Sequence, residues 1–282
     1  MDNASKRRMP DAARRRIFGG SETTDAPQKQ QKLVFLQAKE NKGYAAGNNI
    51  GLNRALADGC GVLVVANNDI LFQEQAVKKL AECLASNRKI GIAAPKVIDS
   101  KGRIQPSRCG MRTGMTEIFQ LYTAAKWLFY RKRQKYHCLL QNPDLPMDVY
   151  HVSGCCFAFS RECAQKTLPF DENTFLYYEE PILGIRMEQA GYRTRYEPKS
   201  VVVHQHGATA GRMRPLMHTY ICQSELYYCA RYLHAQKWQL FLLYHYRRML
   251  YALRSFTDRQ MRSYLKTFLK KTKLFYQEYT KK

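Results

Sequence analysis

The stretch Gly61-Val-Leu-Val-Val-Ala-Asn-Asn-Asp69 decides the fold of this chain. Its apolar part is short and rich in β-branched residues, which predicts a strand buried on both faces, as in a parallel sheet. Open α/β sheets bind their ligands beyond the carboxyl ends of such strands. Asn67, Asn68 and Asp69 stand at that position. On these residues alone, a polar turn that closes the strand and a site for a divalent cation are both consistent with the sequence.

Strands and helices alternate on both sides of this stretch. Apolar runs predict four further strands, at 32–37, 90–95, 149–159 and 200–203. Amphipathic spacing and capping residues predict helices at 48–57, 74–86 and 179–190. We therefore predict an α/β fold over residues 32–211, with a mostly parallel central sheet flanked by helices.

The two ends of the chain differ in composition from this middle part. Residues 1–31 contain clustered Lys and Arg and a polar stretch, which predicts a basic, largely unstructured arm. Residues 212–282 contain fifteen Lys and Arg but only three acidic residues, interleaved with apolar side chains at helical spacing. This pattern predicts two or three basic amphipathic helices, which either cap the α/β domain or contact an anionic membrane surface.

The charge of the chain indicates an anionic partner. Lys and Arg together number 46 and Asp and Glu 23, which gives a formal net charge of +23. Charge alone is compatible with nucleic acid, but the sequence contains no recognisable nucleic-acid-binding module. We therefore expect no nucleic-acid partner.

Cysteine usage and hydropathy predict the compartment. The nine cysteines show neither a C-x-x-C spacing nor a zinc pattern, which is typical of free thiols in a reducing cytoplasm. The basic start lacks the apolar segment of a secretory signal, and no apolar run reaches the length of about 18 residues that a membrane span needs. We predict a cytoplasmic protein that can lie on the inner face of the cell membrane.

Seven segments carry motifs in a recognisable order, namely 41–49 (Asn-Lys-Gly-Tyr-Ala-Ala-Gly-Asn-Asn), 67–69 (Asn-Asn-Asp), 152–159, 170–172 (Phe-Asp-Glu), 178–186, 190–192 and His204. In these motifs, over about residues 32–211, the chain resembles the family 2 glycosyltransferases. Within the family it is most similar to the bacterial rhamnosyltransferase-like and polysaccharide branch. The resemblance implies a GT-A fold, Mn2+ or Mg2+, a nucleotide-diphospho-sugar donor and a saccharide or lipid-linked saccharide acceptor. It also implies inverting transfer in cell-surface polysaccharide synthesis.

The resemblance implies catalytic and metal-binding roles for individual residues. Asp69 and His204 match the acidic position and the later histidine of the family's metal site, and are the expected metal ligands. For His204, a strand-end histidine with a local hydrogen bond is the alternative. Glu180 is the expected base that takes the proton of the acceptor hydroxyl, with Glu179 as its neighbour.

The resemblance also implies a set of donor- or substrate-binding residues. Two simpler interpretations stay open, a turn with a helix cap for the loop at 41–49 and a structural ion pair for Arg186. The expected binding residues are Asn41, Gly43, Asn49, Asn67, Asn68, Gly154 and Arg186.

One part of the family pattern is not found in this sequence. The family opens with two strands that seat the nucleotide base, and no such pair precedes Leu33. We therefore expect a chain that lacks these N-terminal strands. Two hypotheses follow, an active glycosyltransferase or a truncated, catalytically inactive GT-A-like protein with a binding or membrane-associated role.

Overall fold

The computed structural model describes residues 33–105, 109–205 and 214–280. Its strands are β1 (Val62–Ala66), β2 (Ile70–Phe72), β3 (Ile90–Ile98), β4 (Cys109–Gly110), β5 (Met147–Val149), β6 (His151–Val152), β7 (Cys156–Ser160) and β8 (Arg193–His204). Its α-helices are α1 (Tyr44–Ala57), α2 (Ala76–Ser86), α3 (Met115–Tyr122), α4 (Tyr130–Tyr136), α5 (Arg161–Thr167), α6 (Glu179–Gln189), α7 (Arg214–Arg231), α8 (Lys237–Thr257) and α9 (Arg259–Thr280). A short 3-10 helix spans Ala124–Trp127.

The main sheet has the strand order β1-β7-β3-β8-β2, and β5 also pairs with β8. Its strands β3 and β8 are parallel neighbours, whereas the other neighbouring pairs are antiparallel. The α/β class, the helix-flanked central sheet and the three C-terminal helices are confirmed. The sheet is mixed, however, because β7 returns between β1 and β3. An apolar run indicates that a strand is buried but not the direction of its neighbours.

The strand β1, which the opening stretch predicts, lies at an edge of the described sheet. Leu63 and Val65 are buried, but Val64 is 36% exposed. Because side chains alternate along a strand, Val64 belongs to the other face of β1, which packing leaves partly open. The prediction of burial on both faces is therefore wrong for one face.

Four other local predictions differ from the structure. Residues 33–36 form no strand, and Gln37 makes a single bridge. The helix α1 begins four residues before the predicted position 48, because the chain turns at Gly43 with φ of 97°, which glycine adopts readily. The predicted strand 149–159 is interrupted at Tyr150, between β5 and β6, and at a turn that contains Gly154, between β6 and β7. The predicted strand 200–203 is the end of the longer β8.

Two apolar cores meet at α6. Leu183 and Met187 pack in the core between the sheet and helices α1 and α5. Ile182 packs in a second core, which α3, α7, α8 and α9 form. Because α6 begins with Glu179 and Glu180, both cores hold the helix that carries the predicted catalytic carboxylates.

Two predictions about the ends of the chain are not tested. The basic arm at 1–31 and the boundary between residues 211 and 212 lie outside the described residues, so the division of the chain into three parts stays a prediction. Within the described residues, no helix combines the length and the apolar character needed to cross a bilayer.

Candidate active site

The pairing of β2 with β8 brings His204 to the turn at 67–69. Ile70 is the register partner of His204, and the Gln205 N–H donates to the Asp69 carbonyl oxygen over 2.9 Å. Nε2 of His204 lies 3.2 Å from Oδ1 of Asp69. The structure thus brings together the two residues that the sequence predicts as metal ligands.

The carboxylate of Asp69 has an oxygen that suits a cation. Its Oδ1 is buried and has no hydrogen-bond partner among the described residues, because the contact with His204 lacks hydrogen-bond geometry. Burying such an oxygen is costly, and a cation beside it would remove that cost. A carboxylate oxygen and an imidazole nitrogen are both ligands of divalent cations, and here they lie 3.2 Å apart. The pair therefore fits one divalent cation, and imidazole favours Mn2+ over Mg2+.

The protein side chains at this position are few. Among the described residues, no group of three or more His, Cys, Asp or Glu side chains could hold a metal ion. A cation held by Asp69 and His204 would therefore need further oxygen ligands, such as water or the diphosphate of a bound nucleotide.

Gln105 contacts the other nitrogen of the His204 ring. Its amide nitrogen lies 3.0 Å from Nδ1 and its amide oxygen 3.4 Å. For Nε2 to bind a cation, Nδ1 must carry the proton and donate it, and the Gln105 amide can accept it when its oxygen faces Nδ1. The sequence analysis missed Gln105, because a single glutamine beyond β3 belongs to no motif.

A two-residue segment connects the turn at 67–69 to the start of α6. The Asn67 N–H donates to the Cys155 carbonyl over 2.8 Å. The Gly154 N–H donates to Oε1 of Glu180 over 2.9 Å, and the Tyr44 hydroxyl donates to the Gly154 carbonyl over 2.5 Å. The turn that carries Asp69 and the predicted base Glu180 therefore both bond to the segment Gly154–Cys155. Tyr44 lies inside the 41–49 motif but was not singled out from the sequence.

The thiols of this segment support that arrangement. Burial raises the pKa of the Cys155 thiol, and the negative charges of Glu180 and Asp69 raise it further, so both carboxylates act on one sulfur. Burial raises the pKa of Cys156 to about 12. Both thiols are neutral near pH 7, which suits packing residues better than nucleophiles.

The two carboxylates at the start of α6 have different surroundings. Glu179 is 4% exposed and accepts a hydrogen bond from the Thr174 hydroxyl over 3.2 Å, whereas Glu180 is partly exposed. Burial raises the pKa of both carboxyls, and the charge of Glu180 adds to the rise at Glu179. A raised pKa makes a carboxylate a stronger proton acceptor. Glu180, which is only partly exposed but accepts a hydrogen bond from the Gly154 N–H, suits the role of base better than Glu179.

The backbone just before these carboxylates is strained. Tyr177 and Tyr178 have φ of 76° and 71°, a region that residues other than glycine seldom occupy. The Tyr178 hydroxyl donates to Glu225 of α7 over 2.7 Å, and Arg247 of α8 binds both oxygens of that fully buried carboxylate. The C-terminal helices therefore hold the start of α6 in place, which no sequence motif indicated. Strain of this kind is often found at functional sites.

The loop at 41–49 is held by internal contacts. Oδ1 of Asn41 accepts from the Gly43 N–H over 3.0 Å, and a Cβ on Gly43 would lie 2.2 Å from the Phe175 carbonyl oxygen. Asn49 is buried and makes two hydrogen bonds, of 2.8 and 3.0 Å, to the backbone of Phe170. These contacts favour a structural role for Asn49. Donor binding by Asn41, Gly43 and Asn49 stays a prediction.

The remaining predicted binding residues divide into two groups. Asn67 is partly buried and Asn68 is exposed, both in the turn beside the candidate cation position. Arg186 instead contacts the carbonyl oxygens of Thr167 and Pro169, beyond the end of α5. Among the described residues Arg186 forms no ion pair, so its contacts do not match the interpretation as a structural ion pair. Its contact with a diphosphate stays a prediction.

Comparison with known proteins identifies distant relatives. No family model matches the chain. Two proteins named N-acetylglucosaminyl-diphospho-decaprenol L-rhamnosyltransferase, from two strains of Mycobacterium tuberculosis, are 26% identical over 155 residues. The match covers 53% of this chain and 48% of each relative, so the chain spans about half the length of these relatives. The expected resemblance is confirmed as distant homology to a glycosyltransferase over about half of the chain.

Two solved structures align with this chain at low structural similarity. A mannosyltransferase from Pyrobaculum calidifontis in complex with GDP-Man and Mn2+ is 16% identical, with a TM-score of 0.44 over 97% of this chain and 75% of that chain. GalNAc-T7 with UDP, GalNAc and Mn2+ is 16% identical, with a TM-score of 0.42 over 61% of this chain and 32% of that chain. Because both TM-scores are below 0.5, neither structure supports a statement about the chemistry of this chain.

Proposed function

We propose that this chain is an inverting glycosyltransferase. It moves a sugar from a nucleotide-diphospho-sugar to a saccharide or lipid-linked saccharide acceptor in the synthesis of cell-surface polysaccharide. The observation that carries the proposal is the placement of three residues around the segment Gly154–Cys155. This segment bonds to Glu180 and to the turn at 67–69, where Asp69 lies beside His204. The distant homology to a mycobacterial glycosyltransferase supports it.

The reaction follows from the positions of these groups. The acceptor oxygen attacks the anomeric carbon while Glu180 takes the proton of the acceptor hydroxyl. The bond between that carbon and the diphosphate breaks, and the nucleoside diphosphate leaves with the electron pair. A single displacement of this kind inverts the anomeric configuration. The hydrogen bond from the Gly154 N–H keeps Glu180 in place for the proton transfer.

A divalent cation belongs to this proposal. Asp69 and His204 would hold Mn2+ or Mg2+, and Gln105 would fix the ring of His204. When bound, the cation would offset the negative charge that builds on the leaving diphosphate. The strand-end turn at 67–69 is where α/β sheets commonly hold such ligands.

The proposed location is the cytoplasmic side of a membrane. All nine cysteines are free thiols, and eight of them are buried, as expected for a protein of a reducing compartment. A lipid-linked acceptor would bring the protein to the membrane surface. The mycobacterial relatives are named for a decaprenol-linked acceptor, and a similar acceptor is proposed here for this chain.

The test is release of nucleoside diphosphate from a panel of nucleotide-diphospho-sugars with Mn2+ and a lipid-linked saccharide acceptor. We expect Glu180→Gln to lower kcat by about 10²–10⁴-fold, since positioned general bases contribute about that much. The matched control is Glu188→Gln, which removes an exposed carboxylate at the other end of α6 and should leave kcat unchanged.

The same experiment separates catalysis from binding alone. Donor binding measured by equilibrium dialysis should persist in Glu180→Gln, because the base does not hold the donor. Binding of a nucleotide-diphospho-sugar without turnover by the wild-type chain would contradict the proposal and favour an inactive GT-A-like binding protein. Equal loss of turnover in Glu180→Gln and Glu188→Gln would contradict the assignment of the base.

A further inference from the structure

Helix α8 has two apolar faces, and one of them is exposed. The inward face, which includes Leu240, Leu243 and Tyr251, packs in the helical core. The outward face carries six large apolar side chains within about 120° of the helix circumference, given 100° per residue. Two of them, Trp238 and Phe256, are 57% and 74% exposed. The six residues are Trp238, Phe241, Leu242, Met249, Leu253 and Phe256.

The fold of the described residues leaves this face uncovered. Helix α7 packs on the opposite side of α8, where Arg247 binds Glu225 and Arg254 contacts His218. From the first to the last exposed apolar residue, the outward face is about 27 Å long at 1.5 Å per residue. The exposed His245 lies within this face, between Leu242 and Met249. An exposed and mostly apolar face of this size indicates an interaction site.

Helix α9 places basic side chains beside this face. Arg262, Leu269 and Tyr276 are spaced by seven residues, and all three contact α8. Lys266 and Lys273 lie four residues after Arg262 and Leu269, which places each of them about 40° further round the helix. Lys270 lies between these two lysines in the sequence, and all three lysines are exposed.

The basic and apolar faces lie on the same side of the two helices. Tyr279 of α9 contacts the ring of Tyr227 on α7. Helical spacing places the three lysines about 120° to 180° from Tyr279, so they face away from α7. The exposed face of α8 also lies opposite α7. We call the six exposed apolar residues of α8 and the basic residues Arg262, Lys266, Lys270 and Lys273 of α9 the hairpin surface.

We propose that the hairpin surface binds an anionic lipid bilayer. The apolar side chains of α8 enter the interface, and the basic side chains of α9 lie at the level of the headgroups. The proposal deepens the proposed function, since it names the surface that would hold the enzyme beside a lipid-linked acceptor. Its test, however, requires no enzymatic activity.

Charge favours a lipid surface over a second copy of this chain. Asp258 and Glu278 are the only acidic residues between positions 237 and 280, within a chain of net charge +23. A symmetric dimer through this surface would bring two basic rows together, because the same patch is used on both subunits. Anionic headgroups complement the row instead, and a Trp and two Phe beside basic residues are typical of helices that lie in a bilayer interface.

The first experiment is flotation of the full chain with vesicles. We expect binding to phosphatidylcholine vesicles that contain phosphatidylglycerol, weaker binding at high salt, and little binding to phosphatidylcholine alone. Equal binding to both vesicle types, or none to either, would overturn the proposal.

The second experiment removes the charges of α9. The triple variant Lys266→Gln, Lys270→Gln and Lys273→Gln should bind phosphatidylglycerol vesicles about a hundredfold more weakly, since each basic residue near an anionic surface contributes about fivefold. A matched control removes three exposed lysines of the α/β part, as Lys89→Gln, Lys101→Gln and Lys199→Gln. The control should lose little binding. A comparable loss in both variants would mean that overall charge, not this surface, attracts the bilayer.

The third experiment uses Trp238 as a reporter. The chain has two tryptophans, so Trp127→Phe leaves Trp238 as the single tryptophan, whose fluorescence can be excited selectively. Its emission should shift to the blue with phosphatidylglycerol vesicles, and lipids that carry a shallow nitroxide should quench it. If Trp238 instead stays accessible to iodide while the protein floats with the vesicles, another surface binds the bilayer.

The oligomeric state and the activity complete the test. Sedimentation should show that the wild-type chain is a monomer. The triple variant Trp238→Gln, Phe241→Gln and Phe256→Gln should also be a monomer, but it should lose vesicle binding. A dimer that this variant dissociates would overturn the proposal in favour of a second copy. Transfer to a water-soluble acceptor should be the same in all hairpin variants, so failure of membrane binding and failure of the proposed transferase activity give different results.

Discussion

Gln105 contacts the ring nitrogen of His204 that is not beside Asp69. The amide contacts Nδ1, and Nε2 faces Oδ1 of Asp69 at 3.2 Å. We predict that Gln105→Leu weakens Mn2+ binding by about 10–100-fold, because groups that orient a histidine ligand typically contribute that much. Electron paramagnetic resonance of free Mn2+ measures the affinity without any substrate.

The variant Gln73→Leu is a suitable control, since it changes an exposed glutamine near the start of α2. Its Mn2+ affinity should equal that of the wild-type chain. Unchanged affinity in Gln105→Leu would show that His204 does not depend on Gln105 for its orientation.

The raised pKa of Glu180 predicts the pH dependence of activity. Burial raises this pKa above the ordinary value of 4.5 for a glutamate. Only the ionised carboxylate accepts a proton, so kcat should increase with pH until the raised pKa is passed, and should fall about tenfold per pH unit below it. The residual activity of Glu180→Gln should lack this inflection. An inflection near 4.5 in the wild-type enzyme would contradict the assignment.

The same carboxyl groups should affect stability in the opposite direction. Glu179 and Glu180 both have raised pKa values in the folded protein, so the native state binds their protons more tightly than the unfolded state. Their contribution to stability is therefore present at low pH and is lost as the pH rises through the raised values. We predict that Glu179→Gln increases the free energy of unfolding, relative to wild type, more at a pH above these raised pKa values than at a pH below them. Urea unfolding of both proteins at two pH values measures this difference.

The segment between β6 and β7 requires glycine at position 154. A Cβ there would lie 2.4 Å from Oε1 of Glu180 and 3.1 Å from the Tyr44 hydroxyl. We predict that Gly154→Ala displaces the Glu180 carboxylate and lowers kcat by about 10²-fold, since misplacing a catalytic group by about 1 Å has that effect. Steady-state kinetics, together with circular dichroism to confirm the fold, measures the effect.

Gly61→Ala is the matched control for this substitution. A Cβ on Gly61, just before β1, would meet nothing within 4 Å. Its kcat should stay that of the wild type. A Gly154→Ala variant with normal kcat would mean that the contact between Gly154 and Glu180 does not position the base.

At the scale of the whole molecule, a buried ion pair connects two of the C-terminal helices to the start of α6. Arg247 of α8 binds Glu225 of α7, whose side chain is fully buried and also accepts from Tyr178 at the start of α6. We predict that Arg247→Met lowers the free energy of unfolding by about 3–5 kcal/mol, because it leaves a buried carboxylate without its partner. Denaturant unfolding measures the change.

The exposed Arg231→Met on α7 is the control, and it should change stability little. The double variant Arg247→Met with Glu225→Gln should recover much of the lost stability, since no unpaired charge remains. If the single variant is as stable as the wild type, the pair does not anchor α6 to the C-terminal helices.

The sequence alone determined the classes of structure and their order. Apolar runs and amphipathic spacing predicted β1, α2, β3, α6 and two or three basic helices at the end, because burial leaves a local pattern along the chain. The order of the motifs, through its resemblance to family 2 glycosyltransferases, implied sugar transfer, a cation at Asp69 and His204 and a base at Glu180. Local patterns sufficed for the strands and helices, because each of these elements depends on residues that are close in sequence.

Only the tertiary structure decided which of these residues meet. The pairing of Ile70 with His204 brings that histidine to Asp69, and the Gly154 N–H donates to the Glu180 carboxylate. The direction of β7, the contact of Gln105 and the anchoring of α6 by Glu225 also depend on residues far apart in the chain. Strand pairing and buried hydrogen bonds arise from packing between distant parts of the chain. The local sequence around a side chain therefore does not indicate which distant residue will contact it.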